Sequence, residues 1–219
     1  MAETAFTRAA ERPLAAARAR SAEEVERLLA AAEAVLARGG YEQLRVDDVL
    51  AEADLSTRAF YRHFRGKTEL FLALFDQEAE RAGAHLDRKV TAAGDPEAGV
   101  RAWVVATLSL AYDPRLARRT RLFVVERHVI AREFPAEIER CVVAQRTPLE
   151  KAIAAGVADG RFPAADPAAD ALAIHHLCLG LVTDRLLGLG DVGRDRALAL
   201  VTGFALQTLR SDGTERRTS

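Results

Sequence analysis

The sequence predicts an all-α fold: an N-terminal three-helix helix-turn-helix unit followed by a larger helical domain. Three observations predict it. Apolar residues recur at i, i+3, i+4 and i+7 along successive segments. Most of those segments open on a Ser or an Asp-Pro pair, the chemistry of a helix start. Alanine and leucine dominate the apolar residues, whereas β-branched and aromatic types are sparse, a balance that favours helix over sheet.

The elements follow in order. Residues 1–20 are rich in Ala and Arg without clear periodicity and read as a flexible tail, either a solvated arm or a basic one. Ser21, with Glu24 three residues on, reads as a capping box. The helix behind it carries Val25, Leu28, Leu29, Ala32, Val35 and Leu36 on one face and ends at Gly39-Gly40. A short helix spans about Val46 to Ala53, and the turn Asp54-Leu55-Ser56 leads into a second, Thr57 to Phe64, with Ser56 as its N-cap. Another helix starts near Lys67 and buries Leu70, Phe71, Leu74 and Phe75. Two helices across a tight turn, steadied by a third, form the helix-turn-helix unit, placed at 21–67.

The domain after it is placed at 68–211. Asp95-Pro96 opens a helix to Tyr112, Asp113-Pro114 one to about Glu133, and Pro135 one that fades at Gly156 and Gly160. Asp166-Pro167 opens another to about Leu187, and the last runs from about 192 to 210. Residues 212–219 are polar and expected to fray.

Composition narrows the function. The formal net charge is −1, so the chain as a whole is no polycation and any nucleic-acid surface must be local. Cys141 and Cys178 are too few for a disulfide framework and too far apart in sequence for a metal motif, which suits a reducing cytoplasm. The N-terminus lacks the apolar run of a signal peptide. The most apolar stretch, 171–190, carries His175, His176, Asp184 and Arg185 and reads as a buried helix, so no membrane span is expected. His175 and His176 adjoin Cys178, but consecutive helical residues point about 100° apart, so no metal site is expected there; no other cofactor is expected either.

The informative stretch is 56–67. It holds Arg58, Arg62, His63, Arg65 and Lys67 and no acid, a cationic patch within an acidic chain. On a helix from Thr57, residues Thr57, Arg58, Tyr61 and Arg62 share one face, rotated away from Phe60 and Phe64. An Arg/Tyr/Thr face on the second helix of such a unit suits the major groove, and Lys67 begins the next helix, where free N–H groups favour a phosphate.

Gly40-Tyr41, the apolar helix 46–53, Ser56, Tyr61-Arg62-His63-Phe64 and Lys67 together resemble the DNA-binding signature of the TetR family, over about residues 21–75. The resemblance implies that Tyr61, His63 and Lys67 contact phosphates while Thr57, Arg58 and Arg62 lie nearest the base edges; Ser56 belongs to the same surface. Arg45 stands where the family usually has a Thr capping the second helix, and would reach the DNA backbone. Asp54 stands where the family usually has a turn Gly; Asp tolerates left-handed backbone better than most residues.

The resemblance further implies a repressor that binds palindromic operator DNA as a homodimer, through its last two helices, and is released by a small-molecule effector. Leu172, Leu179, Leu186, Leu198, Val201 and Leu206 are the expected interface residues. Trp103, Tyr112, Phe123, His128 and His175 are the candidates for lining an effector pocket, although Trp103 reads first as core. Arg115, Arg118, Arg119 and Arg121 read as a solvated face before an anion site. An enzyme is not expected, since no spaced nucleophile, metal or phosphate-loop pattern occurs. The alternative is a helical scaffold, or a ligand-insensitive regulator, that keeps the fold.

Overall fold

In the computed structural model, residues 5–211 are described, with the side chains of 5–14 and 125–130 outside that description. The described residues form helices and no strands. They are α1 (Ala5–Gly39), α2 (Val46–Ala53), α3 (Thr57–His63), α4 (Lys67–Thr91), α5 (Pro96–Tyr112), α6 (Pro114–Glu133), α7 (Pro135–Ala158), α8 (Pro167–Leu187) and α9 (Arg194–Arg210). They group into two compact units, Met1–Phe75 and Asp76–Ser219. The boundary falls inside α4, beyond the expected one at residue 67, because Leu70, Phe71, Leu74 and Phe75 all bury in the first unit's core.

The expected tail at 1–20 is corrected. Helix α1 begins at Ala5 and passes through Ser21, which therefore caps nothing. Ala and Arg are strong helix formers, and a run of them extends a helix even where it has no apolar stripe to bury. Residues 1–4 and the expected frayed segment 212–219 lie outside the described residues.

The first unit is built on aromatic and leucine packing. Phe60, Leu28 and Leu70 are fully buried, with Leu44, Leu74 and Phe71 nearly so. Removing one such Leu or Phe side chain from water is worth roughly 1.5–3 kcal/mol. Gly40 ends α1 with φ 71°, its N–H donating to the Leu36 carbonyl. Tyr41 then folds back: its ring lies 4.6 Å from that of Phe71, and its hydroxyl is 3.2 Å from Thr68 Oγ1.

In the second unit α5 is the central element. Val100, Trp103, Val104 and Leu108 pack with Leu149, Ile153, Ile174, Cys178, Val201 and Leu209 into one core. Asp95 and Asp166 accept from backbone N–H groups of the first turns of α5 and α8, each followed by Pro at the first helical position. Helix α7 does not stop at Gly156. That glycine is where the Phe162 ring folds back onto the helix, so close that a Cβ there would sit 2.1 Å from the ring. The chain turns two residues after the helix ends, at Gly160 with φ 79°.

Candidate nucleic-acid interface

Three short elements set the geometry of the first unit's surface. Helix α2 starts at Val46 with no side-chain cap from Arg45; Asp47 and Asp48 in its first turn complement the dipole instead. It ends at Asp54, whose φ of 49° and ψ of 53° are left-handed, so Asp does take the conformation that Gly would. The end is pinned twice. Leu55 N–H donates to the Leu50 carbonyl, and Arg27 of α1 donates to the carbonyls of Ala53 and Asp54. Ser56 then accepts from Ala59 N–H through Oγ at 3.2 Å, capping α3 as expected.

With α3 so started, Ala59 and Phe60 bury while Thr57, Arg58, Tyr61 and Arg62 are exposed. Tyr61 is 59% exposed, its ring edge-on to Phe60 at 5.3 Å. The inner aromatic thus braces the outer one. Among the described residues Arg58 has no ion pair and no side-chain hydrogen bond. Arg45 is exposed, and so is Ser56, although its hydroxyl is engaged in its cap.

His63 is placed differently from the rest. Its side chain is only 8% exposed, and Nε2 lies 2.7 Å from Glu24 Oε2 on α1. The ring is turned into the unit, where it ties α3 to α1, and presents little surface to a phosphate. Arg62 Nη1 lies 3.4 Å from the same carboxylate oxygen. The His63 hydrogen bond, and secondarily the nearby Arg62 charge, hold the Glu24 carboxyl below its ordinary value. Lys67, at the first position of α4, sets its ammonium 4.8 Å from the Tyr41 ring centroid. Glu69 enters the same turn and accepts from Arg65 N–H at 2.7 Å, so a carboxylate already sits at this helix start.

Sequence reasoning missed the roles of Glu24, Arg27 and Glu69. Spacing alone places Glu24 in a cap at Ser21; the only hint of its other role is its place beside Val25 at the rim of the apolar face.

Of the expected effector residues, Trp103 and His175 lie together and Tyr112 stands apart from them. Trp103 is fully buried and donates from Nε1 to the Gln145 carbonyl at 2.9 Å. His175, 2% exposed, lies beside it at 6.0 Å between ring centroids. Tyr112 is nine residues further along α5, roughly 13 Å away at 1.5 Å per residue. Its hydroxyl donates to the Val192 carbonyl, and Arg185 stacks on its ring. Phe123 is half-buried on α6, and the side chain of His128 lies outside the described residues. The His175 and His176 rings stand 80° apart, and burial pushes the neighbouring Cys178 thiol up to about 12.

A short helix capped by Ser56, packed through Phe60 and exposing a cationic face, defines a helix-turn-helix protein. Comparison with known proteins narrows the class. Residues 28–74 match the family of bacterial regulatory proteins known as the tetR family. Over 74 residues the chain is 35% identical to the HTH-type transcriptional repressor KstR of Mycolicibacterium smegmatis, a match covering 34% of this chain and 36% of KstR. The chain thus spans about a third of the length of the curated relatives it matches.

Solved structures extend the likeness to most of the chain. A TetR-family regulator from Mesorhizobium loti aligns with a TM-score of 0.70 at 18% identity, covering 87% of this chain and 96% of that one. The regulator FadR of Bacillus subtilis, solved in complex with stearoyl-CoA, aligns at 0.64 and 19% identity, covering 85% and 97%. At such identities the likeness is one of fold. Residues 28–74 are thus similar to the DNA-binding unit of the tetR family, and the rest of the chain shares the fold of the solved neighbours.

Proposed function

We propose that this chain is a cytoplasmic transcriptional repressor that binds palindromic operator DNA as a homodimer and is released by a small-molecule effector. The observation that carries the reading is the exposed face of α3. Thr57, Arg58, Tyr61 and Arg62 stand outward on a helix whose opposite side is locked by Phe60. A helical scaffold has no need of that face.

In this reading Arg58 forks onto a guanine, and Thr57 and Tyr61 hold neighbouring groups. Lys67 leaves the Tyr41 ring for a phosphate, and Arg45 reaches the backbone from the start of α2. Two such units must meet successive major grooves about 34–36 Å apart, which requires a dimer. The apolar side chains that α8 and α9 leave exposed, Leu172, Leu187, Leu200 and Phe204, support one. Effector binding in the second unit would shift α4 and so change the separation of the two α3 helices, by preferring one of two states.

The test is selection of duplexes from a random pool, followed by binding of two variants. Arg58→Ala should lose about 1–3 kcal/mol of discrimination at one base pair. Lys67→Ala should weaken all duplexes alike and flatten the salt slope by about 0.9 for each phosphate no longer neutralised. A wild-type chain that enriches no duplex, or two variants indistinguishable from it, overturns the DNA-binding reading. Effectors are screened by release of the selected duplex. Acyl thioesters enter that panel because the Bacillus subtilis neighbour was solved with stearoyl-CoA.

A further inference from the structure

The two arginines on the exposed face of α3 are not equivalent. Arg58 is without a partner among the described residues, while Arg62, one turn later, lies 3.4 Å from Glu24 Oε2. The same oxygen takes the hydrogen bond of His63, at 2.7 Å. We propose that Glu24 is a positioning residue that holds Arg62 back from DNA, so that sequence discrimination falls to Arg58. The proposal rests on the DNA-binding reading above.

An exposed ion pair alone would be too weak for this, because an arriving phosphate competes readily for a solvated guanidinium. What makes Glu24 effective is its second partner. The His63 side chain is 8% exposed, and Glu24 itself only 23%, so the carboxylate is anchored from the protein side. It cannot swing away when DNA arrives. Arg62 keeps several donors and can still touch the backbone, but with a fixed negative charge beside it. That charge attenuates the sequence-independent attraction to phosphates at the C-terminal end of α3. A bidentate contact from Arg58, a full turn away, is little affected. Glu24 therefore lowers affinity for all DNA and raises the ratio of specific to non-specific binding.

The experiment uses the full chain and two duplexes of equal length. One is recovered by the wild-type protein from a random pool and the other is unrelated; binding is read by anisotropy across a salt series. Glu24→Gln should bind the unrelated duplex roughly fivefold tighter and the recovered duplex less so, with a salt slope steeper by about 0.9 per subunit. In an Arg62→Ala background the same substitution should change nothing. Glu24→Asp keeps the charge but withdraws it from Arg62, and should behave like Glu24→Gln; it also carries the test if the Gln variant fails to fold. The proposal is overturned if Glu24→Gln leaves affinities and slope unchanged. It is equally overturned if the gain persists without Arg62, or if Glu24→Asp matches wild type, since the effect would then be general repulsion. Failure of the wild-type chain to recover any duplex is a different result and removes the DNA-binding reading itself.

Discussion

Glu24 ordinarily titrates near 4.5, and its folded value is lower, chiefly because the His63 ring hydrogen-bonds to the ionised carboxylate. The sign of the consequence is fixed by linkage. A carboxyl depressed in the folded state contributes stability above its unfolded value, and the contribution is lost as pH falls through the folded value. Urea denaturation of wild type and Glu24→Gln should therefore show wild type ahead above pH 4.5, with the gap closing as the medium is acidified below it. A gap that widens in acid would refute this. Some residues are legible from sequence and some are not. Asp54 stands out because an Asp replaces the turn glycine, and its φ of 49° fits that reading. The Glu24–His63 contact is hidden, because its partners are 39 positions apart and neither breaks a local pattern.

At the scale of elements, the seat between α4 and α7 shows what periodicity cannot convey. Pro148 lies inside α7 and has no N–H to give to the carbonyl of Ala144, one turn earlier. That carbonyl is the atom on which α4 rests: a Cβ added at Gly83 would lie 2.9 Å from it. The next carbonyl, of Gln145, receives the indole N–H of Trp103. Ion pairs flank the seat, Asp76 with Arg140 at 3.2 Å and Asp87 with Lys151 at 3.3 Å, while Glu78 pairs with Arg119. Substituting Gly83 by Ala in a helix interior normally gains up to about 1 kcal/mol of helix propensity. Here a rigid backbone atom is in the way, and overpacking of this kind costs roughly 1–3 kcal/mol. Gly83→Ala should therefore lower the thermal midpoint; a raised midpoint would mean that propensity outweighs the contact. Helix starts are readable because Asp-Pro pairs act locally, whereas this seat depends on two helices meeting.

For the whole molecule, the least legible feature is which side of α8 and α9 faces outward. Both helices are apolar around much of their circumference, so spacing alone cannot separate a core face from a partner face. Of the interface residues expected from sequence, Leu186, Val201 and Leu206 are buried in the second unit's own core, Leu179 and Leu198 are half-buried, and Leu172 is exposed. Leu200 and Phe204, outside that expectation, are 46% and 49% exposed on α9. If two chains pair through this surface, Leu200→Lys with Phe204→Glu should shift sedimentation to the monomer and weaken binding to a two-half-site duplex far more than to a single half-site. A variant that sediments as a dimer would locate the pairing elsewhere.

Trp103 has one more consequence. It is the only tryptophan of the chain, fully buried in the second unit and hydrogen-bonded to Gln145. Its ultraviolet emission is therefore a native optical gauge of the α5–α7–α8 core, to which the helix-turn-helix contributes no indole signal. Circular dichroism sums the helices of both units, so recording the two signals during one melt separates their transitions without labelling either unit.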